Sequence, residues 1–404
     1  MTVDRRTRVD GERTPIAPAG FFDEQLPALL AERAALLESA AHLRLRPLVV
    51  VVDDRRWTLD RGGSGFVVEP GEREAERRAR VHLTAEQLDD LVDDQITPVG
   101  WMTAGADVQD EGRIGHLLDW WLVLRCALDG TPVHQPGAVE VHAELGRSFT
   151  LDDDPADLRA FLEEAGYLHL RGVFHDDEMA SISADMDVAE PSYEPDDGQS
   201  WWATLADGRE RVVRMQAFDL RSEATAALLA DERFVSLGAL TGDGHVHRRR
   251  PDNRIEALFK PIGVARGISD VPWHKDCSLG RHSYECCAMT AGISVTGAGP
   301  GTGQLRVAAG SHRALVWPSL QDVEAELDLP VVDLATETGD VTLHLSCTLH
   351  MAEPPVTAER RVLYTTFGLP PVDPEANLAA NRRLLSATRD QASKNTSQVA
   401  APAG

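Results

Sequence analysis

The stretch that decides the fold runs from Gly301 to Phe367. It opens GTGQLRVAAGSHR (301–313), continues GDVTLHLSCTLH (339–350) and closes RVLYTTF (361–367). Each piece is a short apolar run, and the first two are entered through a glycine-containing turn. The same texture begins at Leu258: apolar runs are broken by Gly, Pro, Asp and Ser at roughly 8–12-residue intervals, as in a β-sandwich or barrel. Working outward, Asp152-Asp153-Asp154-Pro155 precedes a helix predicted over Ala156–Gly166, because aspartates there satisfy orphan N–H groups and oppose the helix dipole. A strand, Tyr167–Leu170, follows. Upstream, Gly130–Gly137 breaks the pattern with Gly and Pro and marks the linker.

Before the linker, Phe22, Leu26, Leu29, Leu30, Leu36 and Leu37 recur at helical spacing within 22–42. A meander of strands is expected at 46–53, 56–59 and 66–69, then another at Val81–Leu83. Thr84 reads as an N-cap with Gln87 at the capping-box position, and a further helix as spanning Ile114–Leu128. The chain is therefore expected to be α+β. Residues 1–135 form a small α/β unit, 136–147 a linker, 148–387 a β-rich unit with flanking helices, and 388–404 a frayed polar tail.

Composition narrows the function. The 404 residues carry 65 acidic against 40 basic side chains, a formal charge of -25, with a sequence pI near 4.9. Nucleic acid is excluded as a partner, since phosphate binding needs a basic surface to release counterions. The longest apolar runs, Leu48–Val52 and Trp120–Leu124, fall far short of the roughly 20 residues that span a bilayer. Met1–Pro15 lacks an apolar signal region, and five cysteines, two of them adjacent, make a poor disulfide framework. A cytoplasmic protein acting on a small molecule is expected, with the oligomeric state open, a homodimer included.

The chemistry rests on histidines. A 2-His-1-carboxylate centre places three protein ligands on one face of a metal and leaves the other positions open. A His-x-acid triplet on a strand supplies two of them, because alternation sends both side chains to one face. Composition alone accounts for about two such triplets (14 × 65/404), and the chain has three. His142-Ala143-Glu144 lies just after the linker with no matching partners. In His175-Asp176-Asp177 the acids cap a helix more naturally than they bind metal. Only His274-Lys275-Asp276 is followed by a Gly-Ser-His corner at 310–312, a Gly339-Asp340 turn, His350, and Arg361 eleven residues beyond it.

That set resembles the phytanoyl-CoA dioxygenase family of iron(II)- and 2-oxoglutarate-dependent oxygenases, over roughly 148–370. The resemblance implies a double-stranded β-helix (a jelly roll) in which His274, Asp276 and His350 hold Fe(2+). It implies that Arg361 pairs with the distal carboxylate of 2-oxoglutarate, a task suited to a planar guanidinium. Arg360 is the near alternative, since alternation lets only one of the two face the barrel interior. The implied reaction consumes O2 and 2-oxoglutarate, releases succinate and CO2, and hydroxylates or otherwise oxidises a substrate C–H. Asp276 fills a position that related halogenases leave to a small residue.

The family pattern is departed from at Cys277, where an aromatic is usual, and at Gly280-Arg281-His282. Lys260 and Lys275 read either as contacts to an anionic group or as solvated strand-edge lysines. Trp201 and Trp202 read either as the substrate mouth or as core. In the N-terminal unit, VHLTAEQLDDLV and GWMTAGADVQDEGRIGHLLDWWLVLRCALDG resemble, in segment order, the sterol-carrier-protein-2-like fold, which often surrounds a tunnel for lipid-like ligands. A competing function is a cupin-like binding protein, metal-free or with zinc at Cys277, His282, Cys286 and Cys287, joined to a lipid-carrier domain.

Overall fold

The computed structural model describes residues 15–370, apart from 64, 74–78, 95–96, 99–106, 111–114, 248–253, 268–270, 280–287 and 318–322, together with residue 375. The expected tail, Gly280-Arg281-His282, Cys286 and Cys287 lie outside the described residues.

The N-terminal unit is one five-stranded sheet. Leu48–Val52 (β1), Arg55–Gly62 (β2), Gly65–Pro70 (β3), Ala79–Leu83 (β4) and Asp107–Asp110 (β5) lie in the order β3-β2-β1-β4-β5. The expected meander holds for β1 to β3, but β4 returns to the free edge of β1 and pairs with it in parallel. All five residues of β1 are buried, as its apolar run requires of a central strand. Leu26–Glu32 (α1) and Gly115–Asp129 (α3) contribute to the same core, where Phe22 stacks on Trp57 and Trp120 donates Nε1–H to Arg46 O. Ala85–Val92 (α2) begins with the predicted capping box, Thr84 and Gln87 each accepting from the other's backbone N–H.

Chain 130–147 crosses to the second unit. Val133 bridges Leu315, His134 Nε2 lies 2.8 Å from Leu327 O, and Trp317 Nε1–H donates to Asp119 of α3. There Pro155–Ala165 (α4), capped by Asp154 and ended by Gly166 in the left-handed region, leads into Tyr167–Leu170 (β6). Asp176–Ala189 (α5) starts at His175 and Glu178, so the second His-x-acid triplet is a helix start. The first, His142-Ala143-Glu144, lies in the crossing chain, where the ring of His142 is exposed and faces Glu140.

A large, mainly antiparallel sheet follows. It comprises Ser200–Leu205 (β7), Glu210–Met215 (β8), Val246–His247 (β9), Glu256–Lys260 (β10), Val264–Arg266 (β11), Ala288–Ser294 (β12), Val341–Leu345 (β15) and Arg360–Gly368 (β17), with β6 at one edge. Its order is β11-β7-β8-β10-β17-β12-β15-β6, with β9 also on β17. A smaller sheet, β14-β13-β16, is built from Leu305–Ala308 (β13), Val331–Leu334 (β14) and His350–Ala352 (β16). Two antiparallel sheets in a mixed α/β chain are consistent with the jelly roll expected.

The face of the large sheet carrying Met289, Ala291, Ile293, Leu343, Leu363 and Phe367 packs against α4 and α5 in the main core. The Gly339-Asp340 turn pins that core. Asp340 accepts from Gly172 N and Glu337 N and lies 2.8 Å from His169 Nε2. Gly339 has φ 82°, and a Cβ there would stand 2.0 Å from Phe174 O, so no other residue fits.

Candidate metal centre

His274 and His350 are brought together by the backbone. They are direct cross-strand partners, each donating its N–H to the other's carbonyl at 3.0 Å. Their rings are 4.2 Å apart between centroids. Each ring uses Nδ1–H on a carbonyl, His274 on Pro272 O at 2.7 Å and His350 on Thr348 O at 2.9 Å. That fixes the tautomer and leaves both Nε2 lone pairs available to a metal.

Both Nε2 atoms converge on one oxygen of Asp276, Oδ1, at 3.3 Å from His274 and 3.6 Å from His350. The three donor atoms lie within 4.8 Å of one another, the one such His/Cys/Asp/Glu group found among the described residues. Burial alone would raise the Asp276 pKa, but His350, His274 and His344 outweigh it and hold the carboxyl well below its ordinary value. Burial, then His344 and His274, hold His350 well below the usual imidazole range. A carboxylate beside a neutral imidazole is the protonation state a metal requires.

Two neighbours carried no signal in the sequence reading. Thr290 Oγ–H on β12 donates to Asp276 Oδ2 at 2.7 Å, and His344 Nε2 on β15 stands 3.4 Å from the same oxygen. Thr290 thus marks the inner face of the large sheet, and register carries that face across it. Thr290 is opposite Thr366 and His344, so Thr366, Tyr364, Val362 and Arg360 of β17 point inward. Lys260 is opposite Arg360.

This parity corrects one expectation. Arg361 points to the helix side, where Nη1–H donates to Ser183 O, Nη2 pairs with Asp187 at 2.8 Å, and the guanidinium lies over Phe259. Arg360, 1% exposed, is the inward arginine. Its Nη1–H donates to Gly303 O at 2.6 Å, and no partner of its Nε is found among the described residues.

Lys275 is also redirected. Fully buried, it donates to Ser311 O and Ala314 O, so it braces the Gly-Ser-His corner on the side away from the metal donors. Ser311 and His312 of that corner are structural as well, accepting from Leu349 N and contacting Glu163 O respectively. The two tryptophans separate. Trp201 is on the inner face beneath Arg214, beyond β10, whereas Trp202 packs against the helix-side core. Cys277 lies 3.4 Å from Cys347, sulfur to sulfur, and the other three residues of the zinc alternative, His282, Cys286 and Cys287, lie outside the described residues.

The profile of the phytanoyl-CoA dioxygenase family matches residues 162–363, half of the chain, and the protein belongs to that family. The family depends on iron(II), 2-oxoglutarate and O2, and the His-Asp-His donor set fits iron. Among solved structures, AviO1 from Streptomyces viridochromogenes Tue57 is similar at 22% identity and TM-score 0.43, over 55% of this chain and 97% of that one. EctD from S. alaskensis, solved with 2-oxoglutarate and 5-hydroxyectoine, is similar at 20% identity and TM-score 0.42, over 59% and 86%. SnoN, an epimerase solved with Fe3+, alpha ketoglutarate and nogalamycin RO, is similar at 20% identity and TM-score 0.42, over 53% and 84%. Likenesses this distant say nothing about this chain's substrate. No curated protein matches. Nothing found supports a sterol-carrier-protein-2-like N-terminal unit, and the family match begins only at residue 162. No helix among the described residues is long and apolar enough to cross a membrane.

Proposed function

We propose that the chain is an oxygenase that hydroxylates, or otherwise oxidises at C–H, a small organic or lipid-like substrate. In this reading iron(II) is held by His274, Asp276 and His350. The observation that carries it is the convergence of two carbonyl-oriented histidine Nε2 atoms on Asp276 Oδ1. Residues 148–387 are the catalytic unit and 1–135 a separate packing unit.

When bound, the metal supplies O2 activation coupled to decarboxylation of 2-oxoglutarate to succinate. The protein's own part is to hold the donors, seat the keto acid and exclude water. Arg360, with Lys260 beside it, gives the inner face two buried cations, and we assign Arg360 to the distal carboxylate of 2-oxoglutarate in place of Arg361. A guanidinium suits a carboxylate because its fork donates two parallel N–H groups. Trp201 lies on the same face and is kept as a substrate contact, with Tyr364 of β17 also on that face.

The test is an anaerobic titration with iron(II) and then 2-oxoglutarate, watching for the weak visible charge-transfer band of the chelate. The native protein should develop it at one equivalent of iron. Folded protein that develops no band would sink the assignment.

A further inference from the structure

Asp276 has its two oxygens in different surroundings, and that asymmetry has a chemical use. Oδ1 faces the Nε2 atoms of His274 and His350, while Oδ2 takes the Thr290 hydroxyl at 2.7 Å and lies 3.4 Å from His344 Nε2. We propose that Thr290 and His344 are positioning residues that hold Asp276 as a one-oxygen ligand. This rests on the iron assignment above.

The hydroxyl is itself oriented. Thr290 Oγ lies 3.4 Å from the buried Ser346 Oγ, and since Thr290 spends its proton on Asp276, Ser346 is the donor in that contact. His344 differs from the two ligand histidines in a telling way. It is 1% exposed, its ring lies 4.1 Å from that of His350, and no partner of its Nδ1 is found among the described residues. With no carbonyl to hold a proton on Nδ1, the proton belongs on Nε2, where Oδ2 accepts it. The ring is then a donor to the carboxylate and has no lone pair to offer a metal from that nitrogen.

The coordination count shows what this achieves. An octahedral ion with three protein donors keeps three positions open, two for a chelating keto acid and one for O2. A carboxylate that turned and bound through both oxygens would take the position meant for O2. Binding Oδ2 to two protein donors makes that turn unfavourable before any substrate arrives. Charge-assisted hydrogen bonds of this kind are the stronger class, and such outer partners orient ligating carboxylates in general.

The experiment compares wild type with Thr290→Val, Thr290→Ser and His344→Phe. Iron(II) affinity is measured alone by competition with a coloured chelator. The charge-transfer band and its decay on adding O2 are then followed at saturating iron and 2-oxoglutarate. Thr290→Val, nearly isosteric, should bind iron(II) about 10- to 100-fold more weakly and lose the band more slowly under O2. Thr290→Ser, which keeps the hydroxyl, should restore both. His344→Phe, which keeps a ring and drops the donor, should change in the same direction by less and is the variant to rely on if Thr290→Val does not fold. Wild-type affinity and wild-type O2 decay in both donor-less variants would overturn the proposal alone. Failure of the wild type to bind iron(II) would overturn the iron assignment and this proposal with it.

Discussion

The two faces of the large sheet are made from the same strands and live by different rules. On the helix side Met289, Ala291, Leu363 and Phe367 are fully buried apolar groups, and polar atoms appear mostly at the margin, as with Arg361 on Asp187 and Ser183. On the inner side the same strands present Thr290, His344, Arg360 and Lys260, all polar, three of them 2% exposed or less. Burying such groups costs free energy unless each is bonded, and here the bonding is directed at one carboxylate and one cationic patch. The helix side therefore carries stability, and the inner side spends some of it on chemistry.

The sharpest way to break that contrast is to remove a donor from the inner face. His350→Ala or Asp276→Ala should reduce 2-oxoglutarate-dependent succinate formation to background while the melting temperature changes little. A variant retaining turnover would contradict the ligand set. Phe367→Ala is the converse on the helix side. It vacates a fully buried ring packed on Phe234 and His247, and should cost about 3–5 kcal/mol by thermal or denaturant unfolding, with iron affinity of the folded fraction unchanged. Arg360→Ala comes next. It should raise the 2-oxoglutarate concentration for half-maximal turnover on the order of a hundredfold, equivalent to about 2–3 kcal/mol of charge-assisted bonding. A normal requirement in that variant would return the anchor to Lys260 or elsewhere.

Carboxylates show the contrast too. Asp276 is held well below its ordinary pKa by the histidines around it, whereas Asp119, on α3 against Trp317, is pushed up to about 6 by burial, with the Trp317 hydrogen bond pulling the other way. Because the folded value of Asp119 lies above the unfolded one, its contribution is favourable at low pH and is lost as pH rises through about 6. Asp119→Asn should then gain stability relative to wild type as pH rises from about 4 to about 6, by about 1–2 kcal/mol after allowance for solvent screening. A pH-independent difference in melting would show that the carboxyl titrates normally.

How much of this was legible in the sequence follows from whether local pattern or register decides. The capping box at Thr84 and Gln87, the Asp154 cap and β6 were readable because they depend on neighbours in the chain. His274, Asp276 and His350 were readable as a motif. Lys275 could have been placed by the alternation that unites His274 and Asp276, since the residue between two inward side chains points away. Thr290 could not, because a threonine within AMTAGIS has no distinguishing spacing and acquires its role only from a residue fourteen positions away. The parallel return of β4 onto β1 was likewise invisible, being a matter of which strand edge is free.

The arginine pair is the finest test of the contrast, because Arg360 and Arg361 differ by one position and one face. Spacing from His350 pointed to Arg361, and alternation said only that one of the two faces inward. The choice is made by the register of β17 against β12, which puts Val362 opposite Ser294 and so sets Arg360 on the same face of the sheet as Thr290. Arg361→Ala should therefore leave the 2-oxoglutarate requirement within about twofold of wild type. Its bonds to Asp187 and Ser183 are partly exposed, so its loss should cost only about 1 kcal/mol, read as a small drop in melting temperature. An Arg361→Ala protein that folds normally but needs far more 2-oxoglutarate would reverse the assignment. It would mean that β17 turns its other face to the metal when the cosubstrate is bound.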